Sequence, residues 1–359
     1  MKKVLCLICS VALAAVFVTA CGGGNGDTQT AEGSGEQTVV RFLNWGDYID
    51  TDTIAQFEEE NPDIKIEMTT VPSNEEMYVV ASTEGTDIDL ICPSEYMTQK
   101  MIKEDLLAPI DTSKMENYKY VQDYAENYSY EGSLEYAVPY SWGTFGIVYN
   151  KTMVDEPIDS YGVLFDEKYA GKILMYDSMR DTIGIALKYL GYSMNSTDQA
   201  EIDEATDLLI AQKKDGIVLA YGTDDIRMSM ANGSAAIALL YAGDAVYTHM
   251  DNEDIEYVIP KEGANIFVDN FCILKNTDCY DATLKFIDFL CQPEIAYKNA
   301  AYTGYSTPCA EATEMFGEEF TSLNSFNPSD DELKNVEYYK DLGEDLKIYE
   351  NAWIKIKSN

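Results

Sequence analysis

The sequence predicts an α/β fold with two lobes, and three observations support this prediction. Short apolar segments with strand character alternate with helical patterns from residue 38 onward. Behind a polar N-terminal stretch about 320 residues remain, which is enough for two α/β lobes. Aromatic and acidic residues directly follow several predicted strands, at the sheet edge where α/β proteins commonly bind ligands.

Each element is predicted from side-chain periodicity and from residues that end helices. Ile54 and Phe57 lie one turn apart on the inner face of a helix that Asn61-Pro62 ends. Residues 64–71 alternate between apolar and polar side chains, as a half-buried strand does. We expect largely parallel sheets, with residues 137–150 crossing between the lobes. The predicted strands are 39–44, 64–71, 88–92, 172–176, 235–241, 255–260 and 267–274, and the predicted helices are 52–60, 77–82, 181–190 and 281–290.

The N-terminus has the pattern of a secretory signal. Lys2 and Lys3 precede an apolar stretch over 4–18 that is too short for a permanent membrane-spanning helix. Val18-Thr19-Ala20-Cys21 resembles a bacterial lipobox, which implies cleavage after residue 20 and a lipid on Cys21. The alternative is an ordinary signal peptide that contains a cysteine. We therefore expect a signal peptide over 1–20, a lipidated flexible tether over 21–37, and no later membrane-spanning segment.

Composition narrows the classes of partner. The chain has 63 acidic and 25 basic residues, which gives a formal net charge of −38. Nucleic acids and anionic substrates are poor partners for such a surface, whereas cations are attracted to it. Most of the carboxylates are nevertheless expected to be a solvated, solubilising surface.

Cysteine and histidine usage argues against several kinds of site. His249 is the only histidine, which disfavours catalytic triads and His-rich metal centres, although a pair of carboxylates acting as acid and base remains open. No CxxC spacing occurs among the cysteines beyond residue 21. We predict no disulfide framework, no metal site and no cofactor, and we interpret these cysteines as mostly buried small apolar residues, namely Cys92, Cys272, Cys279, Cys291 and Cys309.

Aromatic residues and carboxylates recur together after the predicted strands. Trp45-Gly46-Asp47-Tyr48 follows the first strand, and related groups occupy 93–96, 177–181 and 241–244. A fifth pair, Phe267 and Asp269, lies more than two hundred residues from the first. An aromatic face attracts an organic ammonium ion, and a carboxylate neutralises it and accepts its hydrogen bonds. Two such pairs brought together would suit a ligand with a cation at each end, such as a polyamine.

Seven motifs in the same order along the chain resemble a known family. They are FLNWGDY at 42–48, SNEEMY at 73–78, DLICPS at 89–94, VPYSWG at 138–143, ALKYLGYS at 186–193, IPKEG at 259–263 and GYSTP at 304–308. Together they make the region from residue 38 similar to the spermidine/putrescine-binding receptors of bacterial ABC importers.

The resemblance implies the type II periplasmic-binding-protein fold, in which two α/β lobes enclose a ligand cleft. Lobe one is expected over 38–143 and 271–313, and lobe two over 144–270 and 314–359. The implied function is capture of a polyamine outside the cytoplasm and its delivery to the transmembrane subunits of an ABC permease. We accordingly expect a monomer that is not an enzyme and that the lipid on Cys21 anchors to the cell membrane.

The resemblance also implies the ligand-binding residues. The full candidate set is Trp45, Asp47, Tyr48, Ser94, Tyr96, Asp181, Thr223, Tyr241, Asp244, Phe267, Asp269, Tyr305 and Tyr339.

Several candidate positions depart from the family pattern. Tyr241 and Phe267 stand where some members have Trp, and Tyr339 falls near a position that is Gln in one of them. Ser178 replaces an aspartate of the spermidine-preferring receptor, although Asp177 is adjacent. Asp244, the last residue of Tyr241-Ala242-Gly243-Asp244, matches an aspartate found in the putrescine-preferring members. Ligand length therefore stays open, with the hypothesis that putrescine binds at least as tightly as spermidine.

Other classes of protein remain alternatives at this stage. A sugar receptor would share the fold, but it would need amides and arginines at the strand ends in place of acids. A ferric-ion receptor would use paired tyrosines, which this chain with its 27 tyrosines could supply. A glycosidase could employ Asp47 and Asp269 as its two carboxylates. A receptor that passes ligand information to a signalling partner is also possible with this fold.

Overall fold

The computed structural model describes residues 37–223 and 225–359. The predicted signal peptide, Cys21 and all of the predicted tether except Gln37 lie outside the described residues. Within the described ranges, no helix combines the length and the apolar character needed to span a bilayer.

Nine strands of the described chain form one sheet with the spatial order β2-β1-β3-β9-β4-β7-β5-β6, and β8 pairs with β4 at the side. The strands are β1 Thr38–Asn44, β2 Ile64–Thr70, β3 Leu90–Ile91, β4 Val138–Asn150, β5 Ile173–Tyr176, β6 Val218–Gly222, β7 Ile237–Tyr241, β8 Ile255–Val258 and β9 Asn265–Ile273.

The sheet is mixed, so the expectation of largely parallel pairing is wrong for its centre. β1 pairs in parallel with β2 and β3, and β5 pairs in parallel with β6 and β7. The central strands β4 and β9 are antiparallel to each other and to the strands on either side. All nine residues of β9 are buried. Two long buried strands thus join the two parallel parts of the sheet.

Helices pack on both parallel parts. They are α1 Thr51–Glu60, α2 Asn74–Ala81, α3 Glu95–Lys103, α4 Gln122–Asn127, α5 Ser133–Tyr136, α6 Met179–Leu190, α7 Gln199–Lys214, α8 Asp225–Ala231, α9 Ala242–Asp251, α10 Tyr280–Leu290, α11 Pro293–Thr303, α12 Ala310–Thr313, α13 Glu318–Thr321 and α14 Leu346–Ser358. Every strand and helix predicted from periodicity is present, with shifted ends; the predicted strand 88–92 is reduced to Leu90–Ile91.

Two large hydrophobic cores lie on either side of the central strands. One surrounds β5 and β7 and includes α6, α7 and α14, and the other surrounds β1 and β3 and includes α1 and α10. The presence of two cores agrees with the expected two lobes. The residue boundaries of the lobes remain a prediction. The five cysteines beyond residue 37 are free thiols. Four of them are buried, in line with their interpretation as mostly buried small apolar residues.

Candidate ligand-binding site

Asp269 is a buried carboxylate in the middle of β9. Its side chain accepts hydrogen bonds from the hydroxyls of Tyr48 and Ser94, each at 2.6 Å, and the residue is only 5% exposed. Burial raises the pKa of this carboxyl to about 6, although both hydrogen bonds favour the charged form. Asp269 is therefore a desolvated acid that a cation would stabilise.

Ser94 is held in position by backbone pairing and by a neighbouring amide. Ser94 pairs with Asp269 as an antiparallel bridge at the end of β3, just before α3 begins. The Asn74 side chain donates to Ser94 Oγ and accepts from the Ser94 N–H, both at 3.0 Å. The hydroxyl is thus aimed at Asp269 and does not cap its own helix.

Asp181, in the first turn of α6, is the second buried carboxylate. It accepts hydrogen bonds from the hydroxyls of Tyr241 at 2.9 Å and Tyr339 at 3.1 Å, and it is 3% exposed. Burial raises the pKa of Asp181 above its ordinary value, although hydrogen bonds with Ser178, Tyr241 and Tyr339 lower it in part. A side chain at Gly184 would bring a Cβ to 3.1 Å from the Tyr339 hydroxyl, so glycine leaves room for this contact.

Four aromatic rings form a continuous path between the two carboxylates. Tyr48 contacts Tyr305 at a centroid distance of 5.5 Å, Tyr305 contacts Phe267 at 5.7 Å, and Phe267 contacts Tyr241 at 5.6 Å. All three contacts are edge-to-face. Gly243 permits this packing, since a Cβ there would lie 2.6 Å from the Tyr305 ring. The path begins at a tyrosine bonded to Asp269 and ends at one bonded to Asp181.

Tyr96 and Tyr339 meet beside this path. Their rings are edge-to-face at 6.4 Å, and the Tyr96 hydroxyl donates to Glu75 at 3.2 Å. The guanidinium of Arg180 lies over the Tyr339 ring, 4.4 Å from its centroid, in a cation–π contact. Arg180 was not among the predicted site residues.

Trp45 and Asp47 have different surroundings, although they share one motif. The Trp45 indole donates to the Cys92 carbonyl at 2.8 Å and packs against the core around β1. Asp47 is exposed, and its backbone has a left-handed φ of 49° in the turn that joins Trp45 to Tyr48. The structure therefore fixes the ring firmly and leaves the Asp47 carboxylate in solvent.

Asp244 and Thr223 are the remaining candidates. Asp244 is partly buried in the first turn of α9, three residues after Tyr241. Thr223 is exposed after β6, where its N–H donates to Asp225 at 2.9 Å. The structure does not bring Thr223 to the two carboxylates through any contact that it describes.

Ser178 and Asp177, two of the three positions that bear on ligand length, are both engaged elsewhere. Ser178 is the N-cap of α6, and its Oγ accepts from the Asp181 N–H at 3.5 Å. The Asp177 carboxylate is exposed and accepts from Lys357 at 2.7 Å. The arrangement therefore shows Asp181 as the buried acid of this segment, with Asp177 paired to a lysine.

Glu95 is a buried acid that the sequence reasoning missed. It is 1% exposed, its Oε2 accepts from the Val268 N–H at 3.1 Å, and burial raises its pKa to about 8. The motif Pro93-Ser94-Glu95-Tyr96 did mark this stretch. A glutamate in the first turn of a helix is usually solvent-exposed, so periodicity gives no sign that this one turns inward.

The arrangement suits a ligand that has a cationic group at each end and an apolar chain between them. Buried carboxylates stand at both ends of an aromatic path, and carboxylates with rings are the groups that recognise ammonium ions. Among residues 37–223 and 225–359, no group of three or more His, Cys, Asp or Glu side chains is placed to hold a metal ion.

These features are those of a two-part α/β binding protein, and comparison with known proteins gives the class. The family model of bacterial extracellular solute-binding proteins matches residues 52–327, and the chain belongs to this family. The spermidine/putrescine-binding periplasmic protein of Escherichia coli K12 is 31% identical over 325 residues, which covers 90% of this chain and 92% of that protein.

Solved structures confirm the periplasmic-binding-protein fold. An ABC transporter structure from Listeria monocytogenes has a TM-score of 0.83 and 39% identity, and the match covers 89% of this chain and 99% of that one. The spermidine/putrescine ABC transporter substrate-binding protein PotD from Streptococcus pneumoniae has a TM-score of 0.79 and 36% identity, with 90% and 99% covered. The resemblance to polyamine receptors is therefore confirmed, and these relatives are binding proteins of transporters, in line with the expectation of a non-enzyme.

Proposed function

We propose that this protein captures polyamines outside the cytoplasm and delivers them to the transmembrane subunits of an ABC permease. The observation that carries the proposal is the aromatic path Tyr48-Tyr305-Phe267-Tyr241, which ends at a buried carboxylate on each side. A sequence relationship to spermidine/putrescine-binding proteins over nine-tenths of the chain supports it independently.

The chemistry of the ligand explains why both kinds of group are present. The methylene chain of a polyamine gains about 25 cal/mol per Å² of apolar surface buried against rings. Each ammonium over a ring adds about 0.5–2 kcal/mol. Asp269 and Asp181 supply the charges without which burial of an ammonium would cost several kcal/mol. The tyrosine hydroxyls donate hydrogen bonds to these acids. When an ammonium group binds, each hydroxyl can keep its hydrogen bond or turn away from the carboxylate.

Access to the site requires movement, because Asp181 and Asp269 are both almost fully buried. In our proposal the two lobes separate to admit the ligand and close over it, and the permease recognises the closed form. We further propose that the lipid on Cys21 holds a monomeric receptor at the membrane, with residues 22–37 as its tether.

A ferric-ion receptor is less well supported. Such a receptor binds through tyrosinate oxygens, and burial raises the pKa of Tyr48, Tyr241 and Tyr339 well above its ordinary value. These hydroxyls also donate to carboxylates. A glycosidase with Asp47 and Asp269 is likewise disfavoured, because the Asp47 carboxylate lies in solvent.

The preferred ligand is proposed to be a diamine. Ser178 acts as a helix cap and Asp177 pairs with Lys357, so neither adds a buried negative charge beside Asp181. A third ammonium would therefore find no buried carboxylate at position 177 or 178. Putrescine is expected to bind at least as tightly as spermidine.

Isothermal titration calorimetry tests the function directly. The protein without its signal peptide, with Cys21→Ser to prevent lipidation, is titrated with putrescine, cadaverine, spermidine and spermine, and with a neutral sugar and ferric citrate as controls. We expect saturable one-to-one binding of amines and none of the controls. Binding of the sugar or iron without binding of any amine would contradict the proposal, and a tenfold preference for spermidine over putrescine would contradict the diamine assignment.

A further inference from the structure

The Glu95 carboxyl group interacts electrostatically with Asp269, and one of its oxygen atoms accepts no hydrogen bond from the described residues. Oε2 accepts from the Val268 N–H at 3.1 Å, whereas Oε1 is buried and has no hydrogen-bond partner within residues 37–223 and 225–359. Ser94 precedes Glu95, Val268 precedes Asp269, and Ser94 and Asp269 are paired as a β-bridge. The bridge brings the backbone of Glu95 close to that of Asp269, and the two carboxyl groups interact electrostatically.

Glu95 belongs to no salt bridge among residues 37–223 and 225–359. The groups with a described electrostatic effect between themselves and Glu95 include Asp269 of β9, Tyr124 of α4, Tyr130 after α4, Tyr338 of the segment before α14, and Tyr96 of its own helix. None of these five is a cation. Backbone N–H groups, including those of Val268 and Tyr339, favour the ionised form, but burial outweighs them and the pKa rises to about 8.

We propose that Glu95 is a third acidic residue of the ligand site, which carries a proton while no ligand is bound and releases it to solvent when an ammonium group binds beside Asp269. The inference rests on the proposed capture of an organic cation. It assigns to Glu95 a direct part in holding that cation and makes binding depend on pH.

Hydrogen-bond counting supports a role for a second carboxyl group at this end. An ammonium group has three N–H donors. Asp269 already accepts from Tyr48 through one oxygen and from Ser94 through the other. Oε1 of Glu95, on the residue that follows Ser94, is a buried acceptor with no partner of its own in the described chain. When the cation arrives, its charge removes the reason for Glu95 to stay neutral, and the ionised carboxylate becomes the stronger acceptor.

Proton release can be measured during binding. The exported protein, purified in detergent, is titrated with putrescine at pH 7 in two buffers of different ionisation enthalpy. A carboxyl group with a pKa of about 8 is about 0.9 protonated at pH 7, so Glu95 should release about 0.9 proton per ligand. The same group should tighten binding about eightfold between pH 6.5 and 7.5. The ligand does not contribute, since alkylammonium groups titrate near pH 10.

A matched pair of variants assigns the proton. Glu95→Gln keeps the size of the side chain and cannot ionise, so it should release about 0.9 fewer protons and lose the eightfold pH effect. Glu59→Gln makes the same chemical change at an exposed position of α1 and should behave as the unaltered protein.

The outcomes separate this inference from the proposed function. Putrescine binding by the unaltered protein with release of less than about 0.3 proton at pH 7 would overturn the inference, whether or not Glu95→Gln folds. Equal proton release by Glu95→Gln and the unaltered protein would also overturn it, because the proton would then come from another group. Failure of every amine to bind would instead contradict the proposed function.

Discussion

Each buried carboxylate of the site accepts hydrogen bonds from two hydroxyl groups, and this determines the effect of removing its charge. Tyr48 and Ser94 donate to Asp269, and Tyr241 and Tyr339 donate to Asp181. A hydroxyl can also accept, so an asparagine at either position can keep much of the local hydrogen bonding. What an asparagine cannot replace is the charge opposite a buried ammonium.

We predict that Asp269→Asn weakens putrescine binding by about 3–5 kcal/mol, because the buried ammonium loses its counter-charge. The measurement is calorimetric titration, with circular dichroism to show that the fold is retained. Asp278→Asn, which alters an exposed aspartate before α10, is the control and should bind normally. A dissociation constant for Asp269→Asn within twofold of the unaltered protein would show that Asp269 does not contact the ligand.

The sequence predicts some of the buried polar residues of the candidate site and does not predict others, for physical reasons. Tyr48, Asp181 and Asp269 carry motifs with fixed positions in the family, so resemblance was enough to propose them. Glu95 was missed because its inward orientation depends on the Val268 N–H, which lies 173 positions away along the chain. Thr223 was proposed without a local signal, and it lies exposed on its turn.

At the scale of elements, α6 connects the proposed ligand site to helix stability. Ser178 caps this helix through the N–H of Asp181, the residue that forms one end of the proposed site. The cap therefore fixes the first turn on which the carboxylate stands.

We predict that Ser178→Ala lowers the free energy of unfolding by about 0.5–2 kcal/mol, since an N–H of the first turn loses its acceptor. Ser178→Asp, which can also cap, should keep normal stability. Urea unfolding provides the measurement, and Ser82→Ala, at an exposed helix end without a described side-chain cap, is the control. Equal stability of Ser178→Ala and Ser82→Ala would mean that the cap contributes nothing.

Some elements were beyond prediction because their signals are weak or non-local. α7 buries Ile202, Ala205, Thr206, Leu209 and Gln212, a stripe at helical spacing in which small and polar residues dilute the apolar pattern. The antiparallel pairing of β4 with β9 joins segments more than one hundred residues apart, which local periodicity cannot reveal. Strand and helix alternation alone suggested a parallel sheet.

At the scale of the whole molecule, charge favours cations before any contact is made. The formal net charge of −38 attracts dications and raises their concentration at the surface, and the effect weakens as salt increases. The same excess of negative charge raises the free-energy cost of ionising a buried acid. The ionisation of Glu95 and Asp269 therefore affects the stability of the fold as well as the proposed binding of a cation.

We predict that the ligand-free protein becomes less stable as pH rises from 5 to 8. The pKa of Glu95 is raised to about 8 and that of Asp269 to about 6, whereas unfolded acids titrate near pH 4. Between those values the native state binds more protons than the unfolded state, so the free energy of unfolding falls with increasing pH. Below pH 4 both states are protonated, and above pH 8 the loss is complete.

Urea unfolding of the unaltered protein and of Glu95→Gln at pH 5 and pH 8 measures the share of this loss that belongs to Glu95. From pH 5 to pH 8 the free energy of unfolding of the variant should rise by about 3–5 kcal/mol relative to that of the unaltered protein. The reason is that the glutamine side chain is neutral in both the folded and the unfolded state. Saturating putrescine should reduce the loss in the unaltered protein, since a bound ammonium stabilises the ionised acids. A stability difference between the two proteins that does not change with pH would show that Glu95 ionises as easily in the folded chain as in the unfolded one.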